Sequence, residues 1–210
     1  MKKKMLVILL VAGLAVSMMA CSSNSKTGTE GTQKQEVSQQ TEKEEGKKEE
    51  VKNEFEAKAD ANGNFVVNGG FEEGDLDGWK LTNKDCDEFN LYDRTTDCHD
   101  GEKSMHFYST KDFEVSAEQK LTGLENGTYT LSGFVQGDTA GDKNGRIYFY
   151  AVAGTEQKEA DGKLAGYLAW DEVKVEGIQV TDGTLTIGIA VKNAANGWGT
   201  IDGITLVKEQ

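Results

Sequence analysis

Six side chains in this sequence together offer aromatic surface and hydrogen-bonding groups. An aromatic ring stacks on the apolar C–H face of a pyranose, while amide and guanidinium groups bond its hydroxyls, so the combination favours a sugar chain as ligand. Trp170 and Trp198 lie in polar, glycine-containing segments, where an indole has little core to enter. The six predicted ligand contacts are Trp170, Trp198, Gln136, Arg146, Tyr148 and Tyr150.

A predicted strand near the end of the chain offers a floor for such a ligand. Side chains alternate between the two faces of a strand, so Leu185, Ile187, Ile189 and Val191 share the core face, and Thr186, Gly188 and Ala190 share the opposite one. That opposite face is nearly bare, and a neighbouring strand with Tyr148 and Tyr150 would form the wall of a shallow groove. Ordinary packing of the two tyrosines is the alternative, and we expect one of the pair to touch the ligand. Trp79 is predicted to fill the core or its edge.

Residues typical of catalysis are sparse. The sequence has two histidines, His99 and His106, and it lacks a nucleophile elbow or a metal-hydrolase motif. Paired carboxylates can cleave a glycoside, but the acidic residues here lie in turns, where solvation explains them. The sequence therefore predicts a protein that is not an enzyme, with a small glycoside hydrolase as the weaker alternative.

Turn dipeptides divide the second part of the chain into short strands. Asn-Gly and Asp-Gly pairs recur between β-branched and aromatic runs, a pattern typical of antiparallel strands, and apolar residues nowhere follow a helical period. The pattern predicts an all-β sandwich of the jelly-roll kind. The predicted strands are Phe65–Val67, Lys103–Tyr108, Glu114–Leu121, Gly127–Gln136, Arg146–Ala153, Asp171–Val180, Gly183–Val191 and Thr200–Val207.

The amino terminus has the features of an export signal. Three lysines precede an apolar run that is too short to span a bilayer comfortably, and small residues lead up to Cys21. The ending resembles a lipoprotein lipobox, which implies cleavage after residue 20 and diacylglycerol and fatty acyl chains such as palmitate on Cys21. We expect residues 1–20 to be the signal peptide and the protein to be exported and held at the cell surface by this anchor. An ordinary cleaved signal with a free Cys21 is the alternative.

Charge and polarity separate a tether from a domain. Residues 21–58 are rich in Ser, Thr, Gln, Lys and Glu, and such a stretch cannot bury enough apolar surface to fold, so we expect a solvated tether there. Residues 59–210 carry 13 basic and 27 acidic side chains and form the expected single domain. This strongly negative charge excludes nucleic acid and direct contact with lipid headgroups, and it favours neutral ligands and cations.

Three segments in order carry a resemblance to a known family. They begin with Asn68-Gly69-Gly70-Phe71-Glu72, continue with Gly127 to Gly137, and end in Gly197-Trp198-Gly199-Thr200-Ile201-Asp202. They resemble galactose-binding-like β-sandwich modules and, within these, carbohydrate-binding module family 61. The resemblance spans Phe65 to Val207 and implies recognition of β-1,4-galactan. The sequence departs from the family at Gly203, where a second acidic residue is expected, and in having two cysteines in a loop.

A structural metal ion and a disulfide are expected in this domain. The same resemblance implies a structural Ca²⁺ with Glu72 and Asp202 as carboxylate ligands and the backbone carbonyl of Lys103 as a weaker one. Separate solvation of the carboxylates is the alternative. Cys86 and Cys98 lie in a short loop of an exported domain, so we predict a disulfide between them, with two reduced thiols as the alternative.

The sequence as a whole predicts a monomeric, surface-anchored lipoprotein that binds galactan or a related galactose-containing glycan without cleaving it. Its contact with the membrane is expected through the lipid alone. An envelope adhesin or assembly lipoprotein with no sugar ligand is the second interpretation.

Overall fold

A computed structural model describes residues 53–210, which fold as a sandwich of two β-sheets. None of these residues is helical, and no helix long and apolar enough to cross a membrane occurs among them. The all-β prediction is confirmed. The strands are β1 Glu54–Glu56, β2 Lys80–Lys84, β3 Glu88–Asp93, β4 Lys103–Tyr108, β5 Phe113–Thr122, β6 Gly127–Asp138, β7 Arg146–Ala153, β8 Glu156–Gly162, β9 Gly166–Val180, β10 Thr184–Asn193 and β11 Trp198–Lys208.

The strands alternate between the sheets along much of the chain. The first sheet has the order β1-β5-β10-β7-β8, with β2 beside β1 along β5, and the second has the order β3-β4-β11-β6-β9. Every pair of neighbouring strands is antiparallel except β1 with β5, which is parallel. The longer strands alternate as the sequence indicated: Leu185, Ile187 and Ile189 are buried between the sheets. The predicted bulky face of β10 is therefore the core face.

The opening Asn-Gly-Gly-Phe-Glu segment is a tight corner that closes one side of the core. The Asn68 side-chain amide donates to the carbonyls of Asp75 and Asp77, and its backbone carbonyl accepts from the indole N–H of Trp79. Trp79 is 1% exposed, which confirms that it belongs to the core. A side chain at Gly69 would place its Cβ 2.0 Å from the Ile204 carbonyl oxygen, so this approach to β11 requires glycine.

Four observed strands were absent from the sequence prediction. They are β1, β2, β3 and β8, and the residues of β2 are all exposed. β2 and β8 carry little apolar alternation, because their pairing with a neighbour defines them. In β3, by contrast, Phe89 and Leu91 alternate with polar residues and pack against the core, a signal that the prediction missed. β1 also falls inside the range 21–58 that was expected to be a tether, so the ordered domain begins before residue 59. Phe65–Val67 is not a strand; Asn64 makes an isolated bridge to Val207 instead.

The predicted signal peptide 1–20, the predicted lipidation of Cys21 and the predicted tether up to residue 52 lie outside the described residues. The structure does not test these predictions.

Candidate functional site

Polar side chains form a row across the outer face of the second sheet. His106 on β4 pairs with Thr200 on β11, and Thr200 in turn pairs with Gln136 on β6. Directly paired residues on neighbouring strands project to the same face, so these three side chains lie side by side. Two residues along, Tyr108 pairs with Trp198 and extends the same face.

This row is the floor of a hollow of about 240 Å³, called here the second-sheet hollow. It is lined by Glu88, Tyr92, Arg94, Asp97, His106, Tyr108, Gln136, Trp198 and Thr200. One wall is a stack: the Tyr92 ring lies 3.6 Å from the His106 ring at an interplanar angle of 12°, and the Arg94 guanidinium lies 4.6 Å from the Tyr92 ring centroid. The hollow therefore joins aromatic surface to polar groups, the combination expected of a sugar site.

Three buried polar atoms in the second-sheet hollow have no hydrogen-bond partner. They are Nδ1 and Nε2 of His106 and Oγ1 of Thr200, and the two residues are 5% and 2% exposed. The Glu88 carboxylate is 3.6 Å from Nε2 of His106. The Gly199 backbone is close enough to affect the pKa of the imidazole, but it makes no hydrogen bond of ordinary geometry to the ring. Because an unpaired buried polar group costs about 1–3 kcal/mol, three such atoms together mark a place where a ligand can supply the partners.

Burial also fixes the protonation state of the histidine. Burial lowers the pKa of His106 to about 4, because the loss of solvation outweighs the effects of the Gly199 backbone and Asp97, which both raise the pKa. At neutral pH the imidazole is therefore uncharged, with one nitrogen as a donor and the other as an acceptor. A sugar hydroxyl, which can both donate and accept, matches either nitrogen.

Two of the predicted contact residues, Trp198 and Gln136, line this hollow. Trp198 is partly exposed, and its ring lies 6.4 Å from that of Tyr167, which is 53% exposed. Gln136 is fully buried; its amide donates to the Asp97 carbonyl and accepts from the Leu168 N–H. Gln136 thus joins the loop before β4 to β9 beneath the hollow, and Trp198 with Tyr167 extends the aromatic surface outward.

Trp170, another predicted contact, does not line the second-sheet hollow. Its indole meets the His99 ring edge-on at 5.4 Å, and His99 stacks on Phe134 at 3.6 Å. This aromatic cluster lies on the same sheet, two residues along β6 from Gln136.

Arg146, Tyr148 and Tyr150 lie on the other sheet, so the structure does not bring the six predicted contacts into one site. They project from β7 in the first sheet, where Tyr150 pairs with Gly188 and Tyr148 with Ala190. The predicted bare floor of β10 is covered at Gly188, because a Cβ there would come within 2.3 Å of the Tyr150 ring. At 9% exposure Tyr150 fills the floor and is not an open wall.

Sequence reasoning missed His106, Thr200 and Tyr92 as site residues. The signal for two of them was present, since alternation along Lys103–Tyr108 puts His106 opposite the core residues Met105 and Phe107. Alternation likewise puts Thr200 on the face of Trp198. Tyr92 lies on β3, which was not predicted as a strand, and the stack it forms depends on sheet pairing.

Cys86 and Cys98 are free thiols, which contradicts the predicted disulfide. Cys86 Sγ donates to the Glu88 and Tyr108 carbonyls at one end of β3, and Cys98 Sγ donates to the Thr95 and Gly101 carbonyls beyond the other end. A six-residue strand spans roughly 17 Å, whereas disulfide-bonded Cα atoms lie about 4–7 Å apart. The prediction failed because β3, which separates the cysteines, was not recognised.

The predicted calcium ligands hold the loop before β4 directly. Asp202 accepts hydrogen bonds from the backbone N–H groups of His99, Asp100 and Gly203, and Glu72 accepts those of Glu102 and Lys103. The described residues contain no group of three or more Asp, Glu, His or Cys side chains that could hold a metal. Both carboxylates therefore secure the loop through N–H donors. Calcium binding stays a prediction, and a fall in melting temperature on adding a chelator is the result it requires.

Comparison with known proteins finds the same fold among solved structures. No family model and no curated protein matches the sequence. The chain is similar to the structure of TmCBM61 in complex with β-1,4-galactotriose, with a TM-score of 0.63 and 23% sequence identity over 70% of this chain and 99% of that one. It is also similar to the enzymatically active domain of bacteriophage CBA120 tailspike protein 4, with a TM-score of 0.56, 11% identity and coverage of 70% of this chain and 22% of that one.

The chain has the β-sandwich fold of carbohydrate-binding modules. The resemblance to family 61 is thereby confirmed at the level of the fold.

Proposed function

We propose that this protein is a non-catalytic carbohydrate-binding module whose ligand occupies the second-sheet hollow. The observation that carries the proposal is the set of three buried, unpartnered polar atoms on His106 and Thr200 beside the partly exposed ring of Trp198. A pyranose stacked on the indole would bring its hydroxyls over the polar row. The hydroxyls would then pair the atoms that the protein leaves unpaired.

The charge of the domain favours an uncharged glycan. Residues 59–210 carry a formal net charge of −14, which repels anionic polysaccharides as well as nucleic acid. Within the hollow, Arg94 lies 3.9 Å from Asp97, so the one basic side chain lining it is paired with an acidic one. A neutral sugar needs no counter-charge and meets neutral His106 and Thr200.

Among neutral glycans, we propose a galactose-containing one, with β-1,4-galactan the first choice. The support is the likeness to a module whose structure contains β-1,4-galactotriose, together with the three family-like segments that include Trp198 and Thr200. An open hollow that holds one or two sugars should bind weakly, with Kd of about 1 μM to 1 mM, or about −8 to −4 kcal/mol.

At the level of the cell, we propose that Cys21 is lipidated and that the exported protein holds glycan at the surface for separate enzymes and transporters. The support is the lipobox-like ending of the export signal. Wild-type protein should incorporate labelled palmitate and show globomycin-sensitive processing, and replacing Cys21 with Ala should abolish both. Absence of the label from the wild type contradicts the lipid anchor.

Affinity electrophoresis in gels containing galactan, arabinan, xylan, mannan or β-glucan tests the proposal. Wild-type protein should be retarded by galactan, and Trp198→Ala should lose at least about 30-fold in affinity, since a central aromatic contact contributes about 2 kcal/mol or more. Trp170→Ala is the matched control: it removes an indole outside the hollow and should keep most of the retardation. Circular dichroism confirms that each variant is folded.

The five glycans distinguish the galactan assignment from the wider proposal that the protein binds a glycan without cleaving it. Retardation by xylan or β-glucan without galactan overturns the galactan assignment and keeps the sugar-binding class. Retardation by none of the five contradicts glycan binding and favours an adhesin or assembly protein, and release of reducing ends from any of them contradicts a non-catalytic role.

A further inference from the structure

The start of β9 leaves the second sheet in a long bulge beside the second-sheet hollow. β9 pairs with Val135 and with Gly137 of β6, but it has four residues between these two pairs where β6 has one. The four residues, 167–170, cannot all continue the ladder, and extra residues of this kind bend a strand and redirect its side chains. Tyr167 belongs to this bulge and is 53% exposed.

Two hydrogen bonds fix the bulge against the rest of the site. The Tyr167 hydroxyl donates to the Thr96 carbonyl over 3.1 Å, and the Leu168 N–H donates to the buried Gln136 side chain. The Tyr167 ring also lies 6.4 Å from the Trp198 ring. Thr96 is in the loop before β4, so this tyrosine side chain, called here the Tyr167 strap, crosses from β9 to that loop at the Gln136 end of the hollow.

Two further sides of the second-sheet hollow are closed. On the β3 side, the wall is the stack of Tyr92 with the Arg94 guanidinium. Next to it, the loop before β4 lies on the sheet, because the Asp97 carbonyl accepts hydrogen bonds from the Ser104 hydroxyl and the Gln136 amide. The stack, the loop and the strap therefore enclose the hollow on three sides.

The fourth side coincides with the ends of three strands. Glu88 begins β3, Tyr108 ends β4 and Trp198 begins β11, and all three residues line the hollow. The hollow therefore opens where the sheet ends. Its volume of about 240 Å³ is below the roughly 300–1,000 Å³ of pockets for drug-sized ligands, so it has room for one or two sugars.

We propose that Tyr167 is a specificity-determining residue, which makes the second-sheet hollow a site for the end of a glycan chain. This inference rests on the proposed function. The chain enters from the open side, and its terminal pyranose lies over His106 and Thr200 beside the Trp198 ring. An internal stretch of polymer would need a second opening, and the Tyr167 strap occupies that position.

Titration with β-1,4-galactan fractions of different chain length tests this proposal, with nuclear magnetic resonance reporting on the Thr200 backbone amide. At equal mass, a fraction with chains about 10-fold shorter contains about 10-fold more ends, so by mass action its titration midpoint should come at about 10-fold lower mass concentration. When the concentrations are expressed per chain, the two midpoints should agree.

Removal of the strap should abolish this dependence on chain length. In Tyr167→Ala the hollow gains a second opening, so the two fractions should have midpoints within about 2-fold of each other at equal mass. If that variant does not fold, Tyr167→Phe, which loses only the hydrogen bond to Thr96, should lower the wild-type ratio at least about 2-fold. Leu168→Ala is the matched control: it truncates the neighbouring exposed side chain of the same bulge and should keep the wild-type ratio.

The outcomes distinguish this inference from the proposed function. Equal midpoints by mass in the wild type, with shifts at Thr200, would show that internal stretches bind, which overturns the chain-end site and keeps the proposed function. A wild-type ratio that persists in both Tyr167 variants overturns the role of Tyr167. Absence of shifts at Thr200 with every fraction overturns the proposed site and the chain-end inference together.

Discussion

The outer faces of the two sheets differ in how completely their polar groups are paired. On the second sheet, His106 and Thr200 leave three buried polar atoms without partners. On the first sheet, Tyr150 bonds Glu118, and Arg146 bonds Glu159 and Asp161. Both faces offer aromatic rings, so aromatic content alone does not tell them apart.

This difference indicates what each face gains from a ligand. Unpaired buried atoms destabilise the free protein, and a ligand that pairs them recovers that cost and is selected for the position of its hydroxyls. A face that is already paired gains stacking and apolar contact, which depend less on which sugar is present. We therefore expect the position of ligand hydroxyls to matter most on the second sheet.

The largest predicted effect is the loss of stability when His106 is protonated. Its pKa is about 4 in the folded protein, below the ordinary 6.5, so its contribution is complete above pH 6.5 and is lost as pH falls from 6.5 through 4. The difference corresponds to about 3 kcal/mol of unfolding free energy. Urea unfolding between pH 7.5 and 3.5 measures it. His106→Gln should flatten this part of the profile, and an unchanged profile in the variant contradicts burial of a neutral imidazole.

The first sheet should respond most to a side chain at Gly188. An Ala Cβ there would displace the Tyr150 ring, and overpacking of this kind costs about 1–3 kcal/mol. Thermal unfolding of Gly188→Ala should show the loss, while galactotriose affinity at the second-sheet hollow should stay within error of the wild type. A loss of that affinity would show that the two faces are coupled and not independent. Ala190→Gly is a control that changes the same strand without meeting Tyr150.

A smaller effect is expected for Thr200→Val, which removes an unpaired buried hydroxyl. The variant should be more stable by about 1 kcal/mol, because no desolvated hydroxyl remains, and its glycan affinity should fall by about 10-fold. Calorimetric unfolding and sugar titration measure the two changes, and Thr200→Ser should retain binding. Lower stability in Thr200→Val would mean that the hydroxyl has a partner within the protein, and this would remove the contrast between the faces.

The smallest predicted effect is that of Tyr150→Phe on the first sheet. The substitution removes the hydrogen bond to Glu118 but keeps the ring over Gly188, so unfolding free energy should fall by about 0.5–1 kcal/mol. Galactotriose binding on the second sheet should not change. Comparison with Thr200→Val is informative, because loss of a paired hydroxyl should destabilise the protein whereas loss of an unpaired one should stabilise it.

Some elements could be predicted because their own residues specify them. In β10, alternation of Leu185, Ile187 and Ile189 with small residues indicated both a strand and its buried face. The exposed residues of β2 and β8 carry no such pattern, and these strands exist because a neighbour offers hydrogen bonds. β3 was missed although Phe89 and Leu91 alternate with polar residues in it, and with it the separation of Cys86 from Cys98.

The sequence by itself determined the class of fold, the position of Trp79 in the core, and the residue types suited to a sugar. Those properties follow from local alternation, turn chemistry and side-chain size, which act within one strand or turn. Tertiary structure alone decided which candidates meet: Trp198 and Gln136 join His106 and Thr200 on one sheet, while Tyr148 and Arg146 lie on the other. The reason is that the order of strands within a sheet is set by pairing between distant segments, and alternation along a strand does not reveal which neighbour it will have.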